Sequence, residues 1–210
     1  MHLQVFSKIT KGRLTFVFAG TLSLAVFLSC KNPFQLRKPQ PPSQGGDRRV
    51  PATRPELVLT NLKSAIAERN LENYMKCFAD SVGGGKGFRF VADPTTRIQN
   101  PGVFANWNLN AEKHYANYLF SQIPKDSTAN LAFGLQTEQT YVRQDTTIFI
   151  LDYTLNVHHT LSGDQYPRKA VGQSEFHLCQ IQGEWVIFYW DDRRSSEQPC
   201  WSDIKASFGK

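Results

Sequence analysis

From Asn130 to Asp192 apolar and polar residues alternate almost one by one, whereas upstream of Asn130 the apolar positions return every three or four residues. A period of two marks strands with one buried face, and a period near 3.6 marks amphipathic helices. The alternation predicts strands at about 131–142, 147–160, 169–182 and 184–192, separated by turn signals at Gln144-Asp145, Ser162-Gly163-Asp164 and Gln182-Gly183. In the second strand Phe149, Leu151, Tyr153, Leu155 and Val157 share one face, while Asp152, Thr154, Asn156 and His158 share the other. Upstream, Thr53-Arg54-Pro55-Glu56 reads as a capping box, and Val58, Leu62, Ala65 and Ile66 then fall on one helical face. A second helix starting at Asn70 carries Leu71, Tyr74 and Phe78 inward, and Gly83-Gly84-Gly85 ends the pair. Gly87 to Val91 is a first strand, and Trp107 to Ile123 a third helix stopped by Pro124. After Pro199, the spacing of Trp201, Ile204 and Phe208 predicts a short terminal helix with Ser202 as its cap.

Helices first and a meander of long antiparallel strands afterwards define an α+β domain, with a curved sheet wrapped around the helices. Residues 55–210 are enough to bury one core, so a single domain is expected there. The formal charge of +6 invites a nucleic-acid partner only until it is located. Residues 55–210 carry 15 Lys and Arg against 17 Asp and Glu, so the excess is at the front of the chain and a nucleic-acid face on the domain is not expected. Beyond Cys30 three cysteines remain, Cys77, Cys179 and Cys200, with no CxxC spacing. Any single bridge among them leaves one thiol free, and burial as small hydrophobes is the alternative.

The front of the chain has its own pattern. Lys8, Lys11 and Arg13 precede an uncharged run from Leu14 to Ser29, and Cys30 follows it. A basic head, an apolar middle and a cut site make a secretory signal, and the run is short for a membrane span of about 20 residues. Residues 31–54 are rich in proline and basic side chains, an extended tether. The junction around Leu28-Ser29-Cys30 resembles the lipobox of bacterial lipoproteins, although Phe27 and Leu28 depart from its usual residues. That resemblance implies a signal peptide at 1–29, acylation of Cys30, a tether at 30–54, and a domain held outside the cytoplasmic membrane by its lipid anchor. An uncleaved signal anchor is the alternative and places the domain on the same side.

The order of elements, with the stretches ELVLTNLKSAIAERNLENYMKCF (56–78) and GEWVIFYWDD (183–192), resembles the nuclear-transport-factor-like, or SnoaL-like, superfamily. The resemblance implies a cone-shaped fold with its helices in the concave face of the sheet, a cavity often holding a small apolar molecule, and frequent homodimers. It implies no single activity, because the family holds isomerases, dehydratases, hydrolases and non-catalytic binding modules alike.

Candidate chemistry is sparse. GGGKG at 83–87 lacks the helix that a phosphate loop needs after it and reads as a connector. His158 and His159 face apart along a strand, and a hairpin turning near Asp164-Gln165 sets His177 opposite Tyr153, so no metal site is expected. No cofactor is implied. Asp191 and Asp192 also face apart, which argues against a paired-carboxylate centre and for one of them meeting an arginine or a helix terminus. Asp192 is the first candidate general base and Asp152 the second. Tyr74, Trp107, Tyr115, Tyr153 and Trp190 are the candidate cavity-lining aromatics, with plain core packing as the alternative. The expected function is therefore an envelope-anchored, non-catalytic module for a small apolar ligand or a protein partner; the alternative is an isomerase, dehydratase or hydrolase using a pocket carboxylate.

Overall fold

The computed structural model describes residues 49–81, 86–143 and 145–209, with side chains described outside 135–144. The expected signal peptide, Cys30, most of the tether and the glycines of GGGKG up to Gly85 lie outside the described residues. The elements run α1 (Pro55–Glu68), α2 (Leu71–Met75), β1 (Arg89–Val91), α3 (Pro94–Gln99), α4 (Leu109–Ser121), β2 (Ala129–Arg143), β3 (Thr146–Val157), β4 (Lys169–Ile181), β5 (Glu184–Arg194) and α5 (Trp201–Phe208). One sheet holds all five strands in the order β1-β5-β4-β3-β2, antiparallel except for β1, which runs parallel to β5.

Alternation decides which face of the sheet is core. Thr147, Phe149, Leu151, Tyr153, Leu155 and Val157 of β3 are buried, and the residues between them are half-buried or exposed. Irregular pairing between Phe133 and Arg143 interrupts the β2–β3 ladder, and bulges of this kind bend a sheet. Gln182 and Gly183 take positive φ values of 52° and 86°, the conformation a two-residue hairpin demands between β4 and β5. Among the described residues no helix is long and apolar enough to cross a membrane.

Several local expectations shift. Pro55, with its fixed φ, sits at the start of α1, so the cap position falls on Arg54 rather than on Thr53. Asn70 does cap α2, but that helix ends at Met75, short of Phe78. The chain there turns instead to bond β5, with Ile187 N–H donating to Cys77 O and Ala79 N–H to Ile187 O. The short helix α3, capped by the Asp93 carboxylate, carries no apolar stripe that would announce it. β3 and β4 are joined by a loop rather than a tight hairpin, so Tyr153 pairs with Gly172 and His177 with Ile148. The five-residue displacement from the expected register follows from that loop.

Helix α5 is the element that completes the core. Trp201, Ile204, Lys205 and Phe208 form one stripe at i, i+3, i+4 and i+7, and all four are buried. It packs against α4, β4 and β5. Its N-cap is Cys200, whose N–H donates to the Asp203 carboxylate at 2.8 Å. Ser202 lies inside the helix and is turned toward β5 rather than capping its own helix.

Gly172 shows how tightly the inner face is filled. A Cβ there would lie 2.5 Å from Arg193 O and 2.6 Å from Tyr153 Oη. Gly172→Ala is expected to lower unfolding stability in urea by about 1–3 kcal/mol. Gly87→Ala, whose Cβ would meet only Ser81 Cβ at 3.5 Å, should leave the midpoint nearly unchanged.

Candidate functional site

Two polar centres sit inside the aromatic interior, both anchored on α5. The first joins α4 to α5. The Glu112 carboxylate accepts from Tyr74 Oη at 2.6 Å and from Trp107 Nε1 at 2.6 Å, and it pairs with Lys205 Nζ through both oxygens. Glu112 and Lys205 are both fully buried. Four ring faces enclose the ammonium: Phe90 at 4.5 Å, Trp107 at 5.3 Å, Tyr115 at 4.5 Å and Trp190 at 4.3 Å from Nζ to centroid. Each ring presents the negative side of its quadrupole to the cation. Burial pushes the Lys205 amine down to about 8, against the upward pull of Glu112.

The second centre joins β5 to the start of α5. The Asp192 carboxylate accepts from Tyr153 Oη at 2.7 Å, from Ser202 N–H at 2.7 Å and from Ser202 Oγ at 2.6 Å. Tyr153 Oη in turn accepts from Trp201 N–H at 2.6 Å. Free N–H groups at a helix N-terminus attract an anion, and Asp192 supplies one from the sheet. Burial raises the Asp192 pKa above its ordinary value, against the lowering effect of the hydrogen bonds from Ser202 and Tyr153. Between the two centres, Trp201 Nε1 donates to Tyr115 Oη at 2.9 Å, and Trp201 meets Trp190 edge-on at 4.6 Å.

All five aromatic candidates therefore converge. Tyr74 and Trp107 hold Glu112, Tyr115 and Trp190 enclose Lys205, and Tyr153 holds Asp192. Trp201 and Lys205 of the same chain, both buried, stand among them, and Trp107 also lines a cavity of about 280 Å³ together with Phe90, Phe104 and Arg97. Asp152 is elsewhere, exposed on the outer face of β3 with Gln173 Nε2 donating to it at 3.1 Å. Asp191 points to that outer side as well and pairs with Arg193 at 2.8 Å. The two neighbouring aspartates thus face apart, one toward an arginine and one toward a helix terminus.

Glu112 and Lys205 were not singled out as site residues from sequence. Their signal was present: each is a charge lying on the apolar stripe of an amphipathic helix, Glu112 with Tyr115, Ala116 and Leu119, Lys205 with Trp201, Ile204 and Phe208. The histidines are scattered. His177 pairs with Glu175 on the outer face, His158 bonds Thr128 O at 2.9 Å, and His159 packs between Tyr166 and Phe208. Among the described residues no group of three or more His, Cys, Asp and Glu side chains is placed to hold a metal ion. Cys77, Cys179 and Cys200 are buried free thiols.

No family model and no curated protein sequence matches the chain. Among solved structures, a protein from Novosphingobium aromaticivorans described as a candidate scytalone dehydratase superimposes with a TM-score of 0.51 at 10% identity, covering 69% of this chain and 88% of that one. An NTF-2 like protein of unknown function from Shewanella oneidensis MR-1 is 16% identical over 65% of this chain and 93% of its own, with a TM-score of 0.45. The strand order and the first of these superpositions identify the fold as the cone-shaped nuclear-transport-factor-like α+β fold. Likeness at this identity concerns the fold alone.

Buried groups that resist ionisation set the alkaline limit. Burial pushes the thiols of Cys77 and Cys200 up to about 12 from 9.0, and holds Tyr74, Tyr115 and Tyr153 well above 10. In the unfolded chain these groups lose protons first, so the stability they contribute is complete below pH 9 and disappears as pH rises toward 12. Urea unfolding at about pH 10.5 should show a loss of roughly 2 kcal/mol per thiol relative to neutral pH. Cys77→Ala should flatten this decline, and an unchanged alkaline slope would contradict the assignment.

Proposed function

We propose that this chain is an envelope-anchored lipoprotein whose cone-shaped domain is a non-catalytic binding module acting through its outer surface. The observation that carries the reading is the occupied interior. Trp201 and Lys205 are buried among the interior aromatics, and both interior carboxylates are engaged: Glu112 by Lys205, Tyr74 and Trp107, and Asp192 by Tyr153 and Ser202. A general base must be able to reach a reacting proton, and both carboxylates are instead engaged by donors of this chain.

The outer face of the sheet offers the material for a protein contact. Ile148, Ile150, Val171, Val186, Phe188 and Tyr189 are half-buried there, bordered by Glu175, Asp191 and Arg193. An apolar centre with a charged rim has the composition of a protein-binding surface. The partner is an envelope protein or a second copy of the chain. For the anchor, support comes from the basic head, the apolar run to Ser29, Cys30 and the proline-rich residues after it.

A second reading has one observation in its favour: burial raises Asp192 above the ordinary carboxylate pKa, and the Tyr153 hydroxyl donates to it. It requires α5 to leave the interior. A dehydratase or isomerase would then resemble in chemistry what the Novosphingobium aromaticivorans protein is described as.

A photo-crosslinking side chain at position 188 should capture one defined protein or a second copy, whereas the same probe at the exposed Tyr118 should not. Native mass spectrometry that finds a small molecule retained by the domain, with no crosslink from position 188, would overturn the outer-surface reading. Cys30→Ser should release the chain from the membrane fraction and abolish incorporation of labelled palmitate; retention of both would remove the lipid anchor.

A further inference from the structure

The C-terminal end of α5 is held by a strap, residues 158–168, which joins β3 to β4. The base of the strap is closed by the Val157 N–H, which donates to Arg168 O at 2.8 Å. It is fastened to α4 by the Thr160 N–H, donating to Gln122 O at 3.0 Å, and to α5 by the Ser207 hydroxyl, donating to Gln165 O. Two of its rings grip Phe208 of α5: His159 at 5.1 Å and Tyr166 at 5.6 Å between centroids, with Tyr118 of α4 joining them at 5.9 Å. Beside this junction a cleft of about 560 Å³ runs between strap and helix, lined by Asp164, Gln165 and Pro167 on one side and by Asp203, Ala206 and Ser207 on the other.

His159 is 4% exposed, and only one of its ring nitrogens has a partner. Nε2 lies 3.4 Å from Pro167 O, and a carbonyl can only accept, so the neutral ring carries its hydrogen there. That leaves Nδ1 as a bare lone pair, buried and without a hydrogen-bond partner. A proton arriving at Nδ1 would put a charge in the junction with no acceptor in place for the new N–H. The charged group acting on the ring is Arg168, of the same sign, whose guanidinium is folded over the strap to donate to His159 O and Leu161 O. The carboxylates nearby do not answer it. Asp203 is paired with Arg194 at 2.7 Å, Asp164 lines the cleft, and neither forms an ion pair with the ring.

We propose that this junction is an acid-operated latch, in which protonation of His159 loosens the strap and with it the C-terminal end of α5. Burial holds the imidazole below its ordinary 6.5; Arg168 adds to that effect, and the carbonyls of Pro167, Tyr166 and Leu161 oppose it. Once the strap opens, the ring is hydrated and titrates at its ordinary value. Closure is therefore favoured in full above pH 6.5 and weakens as pH falls through the lower value of the closed state. Opening exposes Tyr166 and Phe208 and widens a cleft that already separates strap from helix. The sheet and the Asp192 end of α5 keep their own bonds.

Hydrogen exchange of the full chain at pH 7.5 and pH 5.5, corrected for the intrinsic rates, tests the latch. The Val157, Thr160 and Gly209 amides should exchange faster at the lower pH, by up to about tenfold, the limit for a group that titrates at 6.5 when exposed. The Ile187 amide in β5 should not respond. Equal corrected rates in the strap at both pH values would overturn the proposal. His159→Phe keeps a ring against Phe208 but cannot take a proton, so its strap should exchange alike at both; a wild-type response in that variant would also overturn the proposal. The imidazole signal of His159 in the unmodified chain gives an answer that needs no variant: its NMR titration midpoint should lie below 6.5, and a midpoint at or above it would remove the latch.

Discussion

A positive charge at the centre of an aromatic core is the constraint around which the rest of this structure is arranged. Lys205 is fully buried, and removing an ammonium from water costs several kcal/mol even after relaxation. The molecule offsets that cost locally. Glu112 supplies the counter-charge, Tyr74 and Trp107 satisfy the carboxylate oxygens, and four ring faces meet the cation where hydrogen bonds do not. Cation–π contacts of this kind contribute about 0.5–2 kcal/mol each, so the rings are a substantial part of the compensation. The groups come from α2, β1, the approach to α4, α4 itself and β5, which means that the pair forms only when nearly every layer of the cone is in place.

The same arrangement decides what occupies the inside of the fold. A curved sheet around helices encloses a volume. Here the filling is α5, held at its start by Asp192 and at its middle by Glu112. Two carboxylates in an aromatic pocket would be a promising catalytic pair if they faced empty space. They face α5 instead, Asp192 through the Ser202 N–H and hydroxyl and Glu112 through Lys205.

The architecture was legible because periodicity carries it. Alternation along β3 placed Phe149, Leu151, Tyr153, Leu155 and Val157 on the inner face, where they are, and the 201, 204, 208 spacing placed the terminal helix. The interior aromatics were legible too, since large rings beside strand and helix stripes have few other places to go. What sequence reading missed was Lys205, because a lysine on a short terminal helix is ordinarily solvated, and only its position at i+4 from Trp201 puts it on the buried stripe. The β3–β4 register was missed for a different reason. Ser162-Gly163-Asp164 signals a turn but not its width, and the residues between Val157 and Lys169 form a loop. Short features such as α3 and the Arg54 cap depend on single residues, Asp93 and Pro55, whose roles only tertiary packing reveals.

The central claim is that Lys205 and Glu112 are one unit, and a double-mutant cycle measures that directly. Lys205→Met strands a buried carboxylate and Glu112→Gln strands a buried ammonium, so each should lose about 3–5 kcal/mol in urea unfolding at pH 7. The combined Lys205→Met, Glu112→Gln chain should be more stable than Lys205→Met alone, since it leaves no charge unpaired. If the two losses simply added, the residues would be independent and the interior would owe its closure to something else.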